Sequence, residues 1–181
     1  MSKRTEAARA AALDELLDKA ELYELAMRYG RAVDRCDREL LLSLYYEDAV
    51  DNHGADFSGN REQFADYVAK SAANLEASAH YILNTSYKID GDRANGELYF
   101  IAYHRQLPPS SQEIVVCGRY IDRYERRKGA WKIVARDLVW DWADNKPMSG
   151  PAMQLLRVLG EGAAHDKDAS YRLLPLWKRG T

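Results

Sequence analysis

Asp34 and His80 have residue types and positions that could perform acid–base chemistry together. Asp34 ends an apolar stretch with helical spacing, and His80 opens an alternating segment typical of a β-strand. A carboxylate bound to one imidazole nitrogen fixes the tautomer of the ring and stabilises its protonated form. The other nitrogen then becomes a base suited to neutral pH. Asp34 alone is equally well explained as a helix-end side chain, and a lone histidine on a strand is more often structural than catalytic, so only the pair favours catalysis.

Two further histidines occupy positions where a pocket could form. His53 ends a short apolar strand, and His104 shares a strand face with Phe100 and Ala102. Three histidines raise the question of zinc, but no two of them have the close spacing of metal ligands on one element. The sequence also lacks a glycine-rich phosphate loop and a dinucleotide-binding fingerprint. We therefore predict no metal site and no cofactor.

The longest predicted element is a β-hairpin from Gln112 to Asp144 with a basic, glycine-containing turn. By the two-residue period, one face of its second arm is apolar apart from one arginine: Val134, Arg136, Leu138, Trp140 and Trp142. Burying an unpaired charge is costly. Arg136 therefore requires either an internal carboxylate, such as Asp34 or Asp51, or an anionic group in a pocket.

Aromatic side chains are abundant, with 12 tyrosines and 4 tryptophans. Core packing is the default role for each, but a phenol directed into a cavity can also bind a substrate oxygen or a water. The residues predicted to bind substrate are Tyr45, Tyr46, Phe100, Tyr103, His104, Tyr120, Leu138 and Trp140.

The composition limits the possible partners. The 181 residues carry a net charge of -2, with 46% hydrophobic and 30% charged residues, so they suit a globular domain without a basic surface for nucleic acid. No apolar run approaches the roughly 20 residues of a membrane helix. The separated Cys36 and Cys117 and the absence of an apolar signal core favour a reducing cytoplasm. The expected partner is a hydrophobic small molecule.

The order of the elements predicts an α+β fold, because helices come first and long strands follow. A helix from residue 5 with a break around Ala12–Leu16, a helix capped by Asp37 and a helix starting at Ser58 or Asn60 precede most of the strands. A curved antiparallel sheet wrapped around the N-terminal helices would form a cone. Residues 1–144 are assigned to this barrel domain.

The remaining residues, 145–181, form a predicted C-terminal extension. Its segment 170–178 is too apolar for a free tail, so it should pack on the body, on a partner subunit or over the pocket mouth. The outer sheet face is also predicted to be apolar, at Val115, Ile121, Ile133 and Val139. A sheet that is apolar on both faces needs a cover, which predicts a homodimer or homotrimer.

Three stretches together resemble the SnoaL-like branch of the nuclear transport factor 2-like superfamily: Ala32–Arg35, Ala79–Tyr81 and Tyr120–Arg136. The resemblance covers about residues 15 to 144 and implies a cone-shaped α+β barrel. Members of this superfamily include scytalone dehydratase, hexachlorocyclohexane dehydrochlorinase and bile acid 7α-dehydratase.

The resemblance implies that Asp34 orients His80 as the base and that Arg136 stabilises negative charge on the departing group. His53 replaces an apolar residue of the dehydrochlorinase, which suggests a different substrate or a second acid–base group. The implied activity is a cofactor-independent lyase that removes water, halide or, by retro-aldol cleavage, formaldehyde. Its substrate would be an aromatic or polycyclic small molecule.

Three alternatives remain open at this point. A ketosteroid-type isomerase would need a pocket-facing carboxylate and an oxyanion hole, for which Asp51 and Tyr120 are loose matches. The fold also serves as a non-catalytic ligand-binding or assembly module. The third alternative is the small subunit of a ring-hydroxylating dioxygenase, which would leave the polar residues around His80 without a purpose.

Overall fold

The computed structural model describes residues 5–147, 163–174, 176 and 178–180. Its helices are α1 (Glu6–Asp34), α2 (Arg38–Ser43), α3 (Arg61–Ala72) and α4 (Ala169–Leu173), with a 3₁₀ turn at His165–Lys167. Its strands are β1 (Tyr45–Asn52), β2 (Ser58–Asn60), β3 (Leu75–Asp90), β4 (Arg93–Gln106), β5 (Gln112–Arg127) and β6 (Ala130–Pro147). This arrangement confirms the predicted α+β class.

The strands form one curved, unclosed sheet in the order β2-β1-β6-β5-β4-β3. Strands β3 to β6 pair antiparallel in sequence order, as the predicted hairpins require. Strand β1 is antiparallel to β2 but parallel to β6, so the sheet is mainly rather than wholly antiparallel. The helices pack against the inner face, where buried residues of α1, α2 and α3 meet the strands.

Helix α1 is continuous from Glu6 to Asp34, so the predicted break around Ala12–Leu16 is wrong. Ala, Leu, Glu and Lys dominate this stretch and maintain the helix even where Leu13 and Leu16 remain exposed. Its C-terminal half is buried and directs Asp34 towards the sheet. Although α1 is long, neither it nor another helix in the described part of the chain is apolar enough to cross a membrane.

Side-chain caps begin the next two helices. The Asp37 carboxylate accepts a hydrogen bond from the backbone N–H of Leu40 at 3.2 Å, which confirms its predicted capping role. Of the two possible starts for α3, Asn60 is the observed N-cap, and it forms a reciprocal capping box with Gln63. These caps fix the ends of α2 and α3 beside the cavity described below.

Two β-bulges in β6 change which side chains face the core. Near the first bulge, Tyr124 pairs with Ile133 but Arg123 pairs with Ala135, which places Ile133 in the core and not on the predicted outer face. At the second, Gly118 pairs with Trp140 but Cys117 pairs with Trp142. Trp142 therefore leaves the predicted inner row and is 54% exposed.

The described C-terminal residues pack against the junction of α1 and α2. The Asp37 carboxylate accepts hydrogen bonds from the backbone N–H of Gly180, at 3.0 Å, and from the Tyr171 hydroxyl, at 3.3 Å. Leu176, in contrast, is 90% exposed. The domain boundary predicted at residue 144 stays a prediction, because residues 148–162 lie outside the described ranges.

Large apolar and aromatic side chains are exposed on the protomer, including Leu83, Tyr99 and Trp142. The predicted outer residues Val115, Ile121 and Val139 are only half-buried. The homodimer or homotrimer stays a prediction.

Candidate active site

A cavity of about 680 Å³ lies between the ends of α1 and α3 and the inner face of the sheet. Aromatic side chains form much of its lining, including Phe64, Tyr67, Phe100, Tyr120 and Trp140. The volume is in the range of small-molecule sites, in which a mostly apolar surface surrounds a few polar groups. The cavity therefore has the size and lining of a small-molecule site.

Asp34 and His80 are in direct contact in this cavity. Oδ1 of Asp34 lies 2.7 Å from Nδ1 of His80, and Oδ2 accepts a hydrogen bond from the His80 backbone N–H at 2.9 Å. Both side chains are largely buried, yet both line the cavity. The carboxylate thus assigns the Nδ1 proton and leaves Nε2 of His80 as the nitrogen that can accept a proton.

Hydrogen bonds keep Asp34 ionised despite its burial. Burial acts to raise the pKa of Asp34, but the ring and backbone N–H of His80 and the hydroxyl of Ser78 bind the charged form, and the pKa is lowered overall. Ser78 Oγ donates to Oδ1 of Asp34 at 3.2 Å. The carboxylate is therefore charged at neutral pH and available to hold His80.

His104 extends this hydrogen-bond network. Its ring lies 5.3 Å from the His80 ring, centroid to centroid, and its Nδ1 lies 3.3 Å from Ser78 Oγ. Because the single Ser78 hydroxyl proton goes to Asp34, Nδ1 of His104 must donate to Ser78. Burial, together with the neighbouring His80, lowers the pKa of His104 to about 4. At neutral pH His104 is uncharged and can accept a hydrogen bond from substrate through Nε2.

The low pKa of His104 should make stability depend on pH. The unfolded chain takes up a proton near pH 6.5, but the native ring does so only near pH 4, so the native state loses stability as pH falls through this interval. The loss is up to about 3 kcal/mol. We expect His104→Gln to flatten this dependence in denaturant unfolding measured across the interval.

His165→Asn is the control for that experiment, because His165 is exposed and asparagine tolerates its positive φ of 59°. This variant should keep the wild-type slope. An unchanged slope in His104→Gln would show that another group is responsible.

A second Asp–His pair, Asp51 and His53, reaches the same cavity through His53. Nδ1 of His53 lies 2.6 Å from Oδ1 of Asp51, an ion-pair contact in which the N–H is not aligned as in a regular hydrogen bond. The other oxygen of Asp51 accepts a hydrogen bond from the Tyr45 hydroxyl at 2.7 Å. The His53 ring stacks on Phe64 with centroids 5.0 Å apart. Asp51 is fully buried, so His53 separates it from the cavity.

Comparison with known proteins assigns the family. Residues 14–137, more than half of the chain, match the model of the SnoaL-like domain. The chain belongs to the SnoaL-like family. Its fold is that of the nuclear transport factor 2-like superfamily, as the sequence resemblance implied.

Solved structures share the fold of this SnoaL-like protein. The hexachlorocyclohexane dehydrochlorinase LinA-type3 from Novosphingobium barchaimii superposes with a TM-score of 0.70 at 21% identity, covering 77% of this chain and 99% of the other. A scytalone dehydratase-like protein from Novosphingobium aromaticivorans gives 0.66 at 18% identity, covering 75% and 92%. Uncharacterized proteins of Mycobacterium tuberculosis and Mycobacterium bovis are 25% identical over 67% of this chain and 84% of their own length.

Arg136 of the SnoaL-like chain pairs with an internal carboxylate and does not line the cavity. Its Nε and Nη2 donate to the two oxygens of Asp122 at 2.7 and 2.6 Å. The guanidinium also lies 4.0 Å from the ring centroid of Tyr29 and 4.2 Å from that of Tyr120, both of which line the cavity. The prediction that Arg136 contacts the leaving group is therefore wrong. Its carboxylate partner is Asp122, and not Asp34 or Asp51.

Tyr45 and Tyr46 also fall outside the cavity lining, against the prediction. Tyr45 is fully buried on Asp51. Tyr46 fastens the turn of the β5–β6 hairpin, where its hydroxyl donates to the carbonyl of Ala130 at 2.6 Å and accepts from the N–H of Arg127 at 2.8 Å. The other predicted binding residues do line the cavity: Phe100, Tyr103, His104, Tyr120, Leu138 and Trp140. Their contacts with substrate stay predictions.

Sequence reasoning missed Ser78 and the pairing of Asp51 with His53. The sequence contained a simple signal for Ser78 and for Asp51. Ser78 lies two residues before His80, and Asp51 lies two residues before His53, so each shares a strand face with its histidine. Asp122 was also missed. Its pairing with Arg136 depends on the register between β5 and β6, which two bulges make irregular.

Proposed function

We propose that this SnoaL-like protein is a cofactor-independent lyase that uses the Asp34–His80 pair to begin an elimination. The observation that supports this most strongly is the 2.7 Å contact between Oδ1 of Asp34 and Nδ1 of His80 inside an aromatic-lined cavity. A buried, oriented imidazole with one free nitrogen is a competent general base. The structural similarity to a dehydrochlorinase agrees with this class of reaction but shows only the fold.

The first chemical step is proton removal by Nε2 of His80. The proton comes either from a carbon next to the leaving group or from a hydroxyl. After removal from carbon, the electron pair forms a carbon–carbon double bond as the small group departs with the electrons of its own bond. After removal from a hydroxyl, the pair forms the carbonyl of formaldehyde, and the electrons of the broken carbon–carbon bond stay on the substrate carbon, which then takes up a proton. Asp34 stabilises the imidazolium that results, because its charge lies against Nδ1 throughout.

The expected substrate is a hydrophobic, aromatic or polycyclic molecule. Phe100 and Tyr120 stack with centroids 4.4 Å apart, and the Trp140 ring meets Phe100 edge-on at 6.2 Å. These rings offer flat apolar surface for an aromatic ligand. Ser78 and His104 add polar groups on the side of His80.

The isomerase alternative receives no comparable support. It needs a carboxylate base in the pocket, but Asp51 is fully buried against Tyr45 and His53 and does not line the cavity. A non-catalytic binding or subunit role would leave the Asp34–His80 contact without a chemical purpose, and the following experiment separates it from the lyase.

The function is tested by incubating the purified protein with hydroxylated and halogenated aromatic compounds without added cofactor or metal. Mass spectrometry should detect loss of water, hydrogen halide or formaldehyde from at least one compound, and a chelator should leave the rate unchanged. Binding of the compounds without turnover would favour the non-catalytic module. Turnover that chelation abolishes would replace the proposal with a metal-dependent mechanism.

A further inference from the structure

We propose that His53, supported by Asp51, is the general acid that protonates a departing oxygen. The substrate class is therefore a compound that loses a hydroxyl group as water, and not one that loses a halide. This inference rests on the proposed function, because it assumes that His80 begins the elimination. It adds the group that protonates the leaving group, and it identifies that leaving group as a hydroxyl.

The topology places His53 and His80 on separate sides of the cavity. His53 follows β1 directly, and His80 lies on β3, the edge strand at the far end of the sheet. Strands β6, β5 and β4 lie between them and contribute Leu138, Tyr120 and Phe100 to the lining. A ligand on this surface can contact one histidine at each end. Elimination of water can use such an arrangement, since one group removes a proton while another protonates the departing oxygen.

Buried charged side chains lie directly behind His53. Asp51 and Arg136 are register partners across β1 and β6, and Arg136 and Asp122 are partners across β6 and β5. Two buried carboxylates thus flank one guanidinium, which directs two hydrogen bonds to Asp122. Oδ1 of Asp51 lies 2.6 Å from Nδ1 of His53, so this carboxylate is placed to stabilise positive charge on the ring during proton transfer.

The other groups that face His53 do not compete for this role. From α3, Phe64 stacks on the ring, and Tyr67 lies 6.4 Å away, centroid to centroid. Burial raises the pKa of Tyr67, so its phenol stays neutral. Asp56 lines the same part of the cavity and adds further negative charge. On β1, Tyr45 is occupied by its hydrogen bond to Asp51.

His104 is the other imidazole that could deliver a proton. Its pKa of about 4 leaves it uncharged at neutral pH, and its Nδ1 proton is engaged with Ser78. A neutral imidazole is a much weaker acid than an imidazolium. Among the described residues that line the cavity, His53 is therefore the histidine placed to act as the acid.

The proposed step balances as follows. Nε2 of His80 takes a proton from the substrate, and the electrons of the broken bond form the new double bond. The carbon–oxygen bond breaks, its electron pair goes to oxygen, and the Nε2 proton of His53 converts the departing hydroxyl into water. The products are an alkene and water, and solvent returns the proton from His80 to His53. A chloride leaves as a stable anion and needs no such proton, so His53 has no function in halide loss.

The test uses two matched substrates that differ only in the leaving group, hydroxyl or chloride, on one aromatic framework. We expect His53→Gln to lower kcat/KM for the hydroxyl compound by about 10²–10⁴-fold and for the chloride by less than about 10-fold. Asp51→Asn is the second variant. It should weaken hydroxyl loss selectively and leave chloride loss nearly unchanged, because it removes the carboxylate that supports His53 at Nδ1.

The possible results separate this inference from the proposed function. Equal loss of both activities in His53→Gln, with an unchanged circular dichroism spectrum, would overturn the acid role. So would a wild-type enzyme that eliminates chloride but not water. If His53→Gln does not fold, the Asp51→Asn variant decides. Equal loss of hydroxyl and chloride elimination in that variant would also overturn the acid role. The proposed function fails separately, if His80→Gln leaves both eliminations intact.

Discussion

Replacement of His80 by Gln is expected to reduce kcat/KM by about 10²–10⁴-fold, the usual contribution of a general base. Glutamine approximates the size of the ring and can donate to Asp34, but it offers no nitrogen able to accept a proton at neutral pH. Because Asp34 receives both a ring and a backbone hydrogen bond from this residue, the backbone contact at 2.9 Å should persist. The loss should therefore appear mainly in kcat, with the fold intact.

Asp34→Asn should reduce kcat/KM by a similar factor, because it changes the tautomer of His80. An asparagine amide can present its N–H₂ group to Nδ1, which would move the imidazole proton to Nε2 and block proton acceptance. The double variant Asp34→Asn, His80→Gln should be about as slow as His80→Gln alone, since the two residues act as one unit. His165→Asn, outside the cavity, should retain wild-type kinetics. Multiplicative losses in the double variant would contradict the dyad.

The largest expected loss of stability follows the removal of Arg136. The Arg136→Met variant should lower the free energy of unfolding by about 3–5 kcal/mol, because it leaves Asp122 charged and unpaired in the core. Tyr124 also donates to this carboxylate, but a phenol does not replace a full positive charge. Denaturant unfolding measures the effect, and adding Asp122→Asn to Arg136→Met should recover part of the loss.

Arg119 provides a matched control for Arg136. It lies on the neighbouring strand and makes a two-pronged contact with Asp141 at 3.2 and 3.1 Å, but both partners are solvent-accessible. Arg119→Met should cost much less stability than Arg136→Met, because the ion pairs of Arg119 with Asp141 and Glu97 lie at the solvent-accessible surface. If Arg136→Met keeps wild-type stability and loses activity, the guanidinium must reach the substrate, contrary to its observed place behind Tyr29 and Tyr120.

Local patterns predicted the α+β class and singled out Asp34 and His80 as candidates. The helical spacing ends at Asp34, as observed, but His80 was predicted to open its strand, whereas β3 already begins at Leu75. The resemblance to the SnoaL-like family then implied how the two side chains meet. The N-caps at Asp37 and Asn60 were also recognisable, because short polar side chains before apolar helices have a local physical role.

The wrong predictions concern side chains whose positions depend on contacts between residues far apart in the sequence. The two-residue period assigns Ile133 and Trp142 to the wrong faces, since each β-bulge shifts the alternation by one residue. Tyr45 and Tyr46 follow α2 directly, but strand β1 carries one into the core and the other to the hairpin turn. The partner of Arg136 depends on strand register, which composition and spacing do not specify.

The central claim is that Asp34 holds the Nδ1 proton of His80 and leaves Nε2 free to act as the base. Two-bond ¹H–¹⁵N NMR of the imidazole rings, recorded where His80 is neutral, tests it most directly and needs no substrate. We expect the Nδ1–H tautomer for His80 in the wild-type protein and its loss in Asp34→Asn. A wild-type His80 that carries its proton on Nε2, or an unchanged spectrum in Asp34→Asn, would contradict the claim.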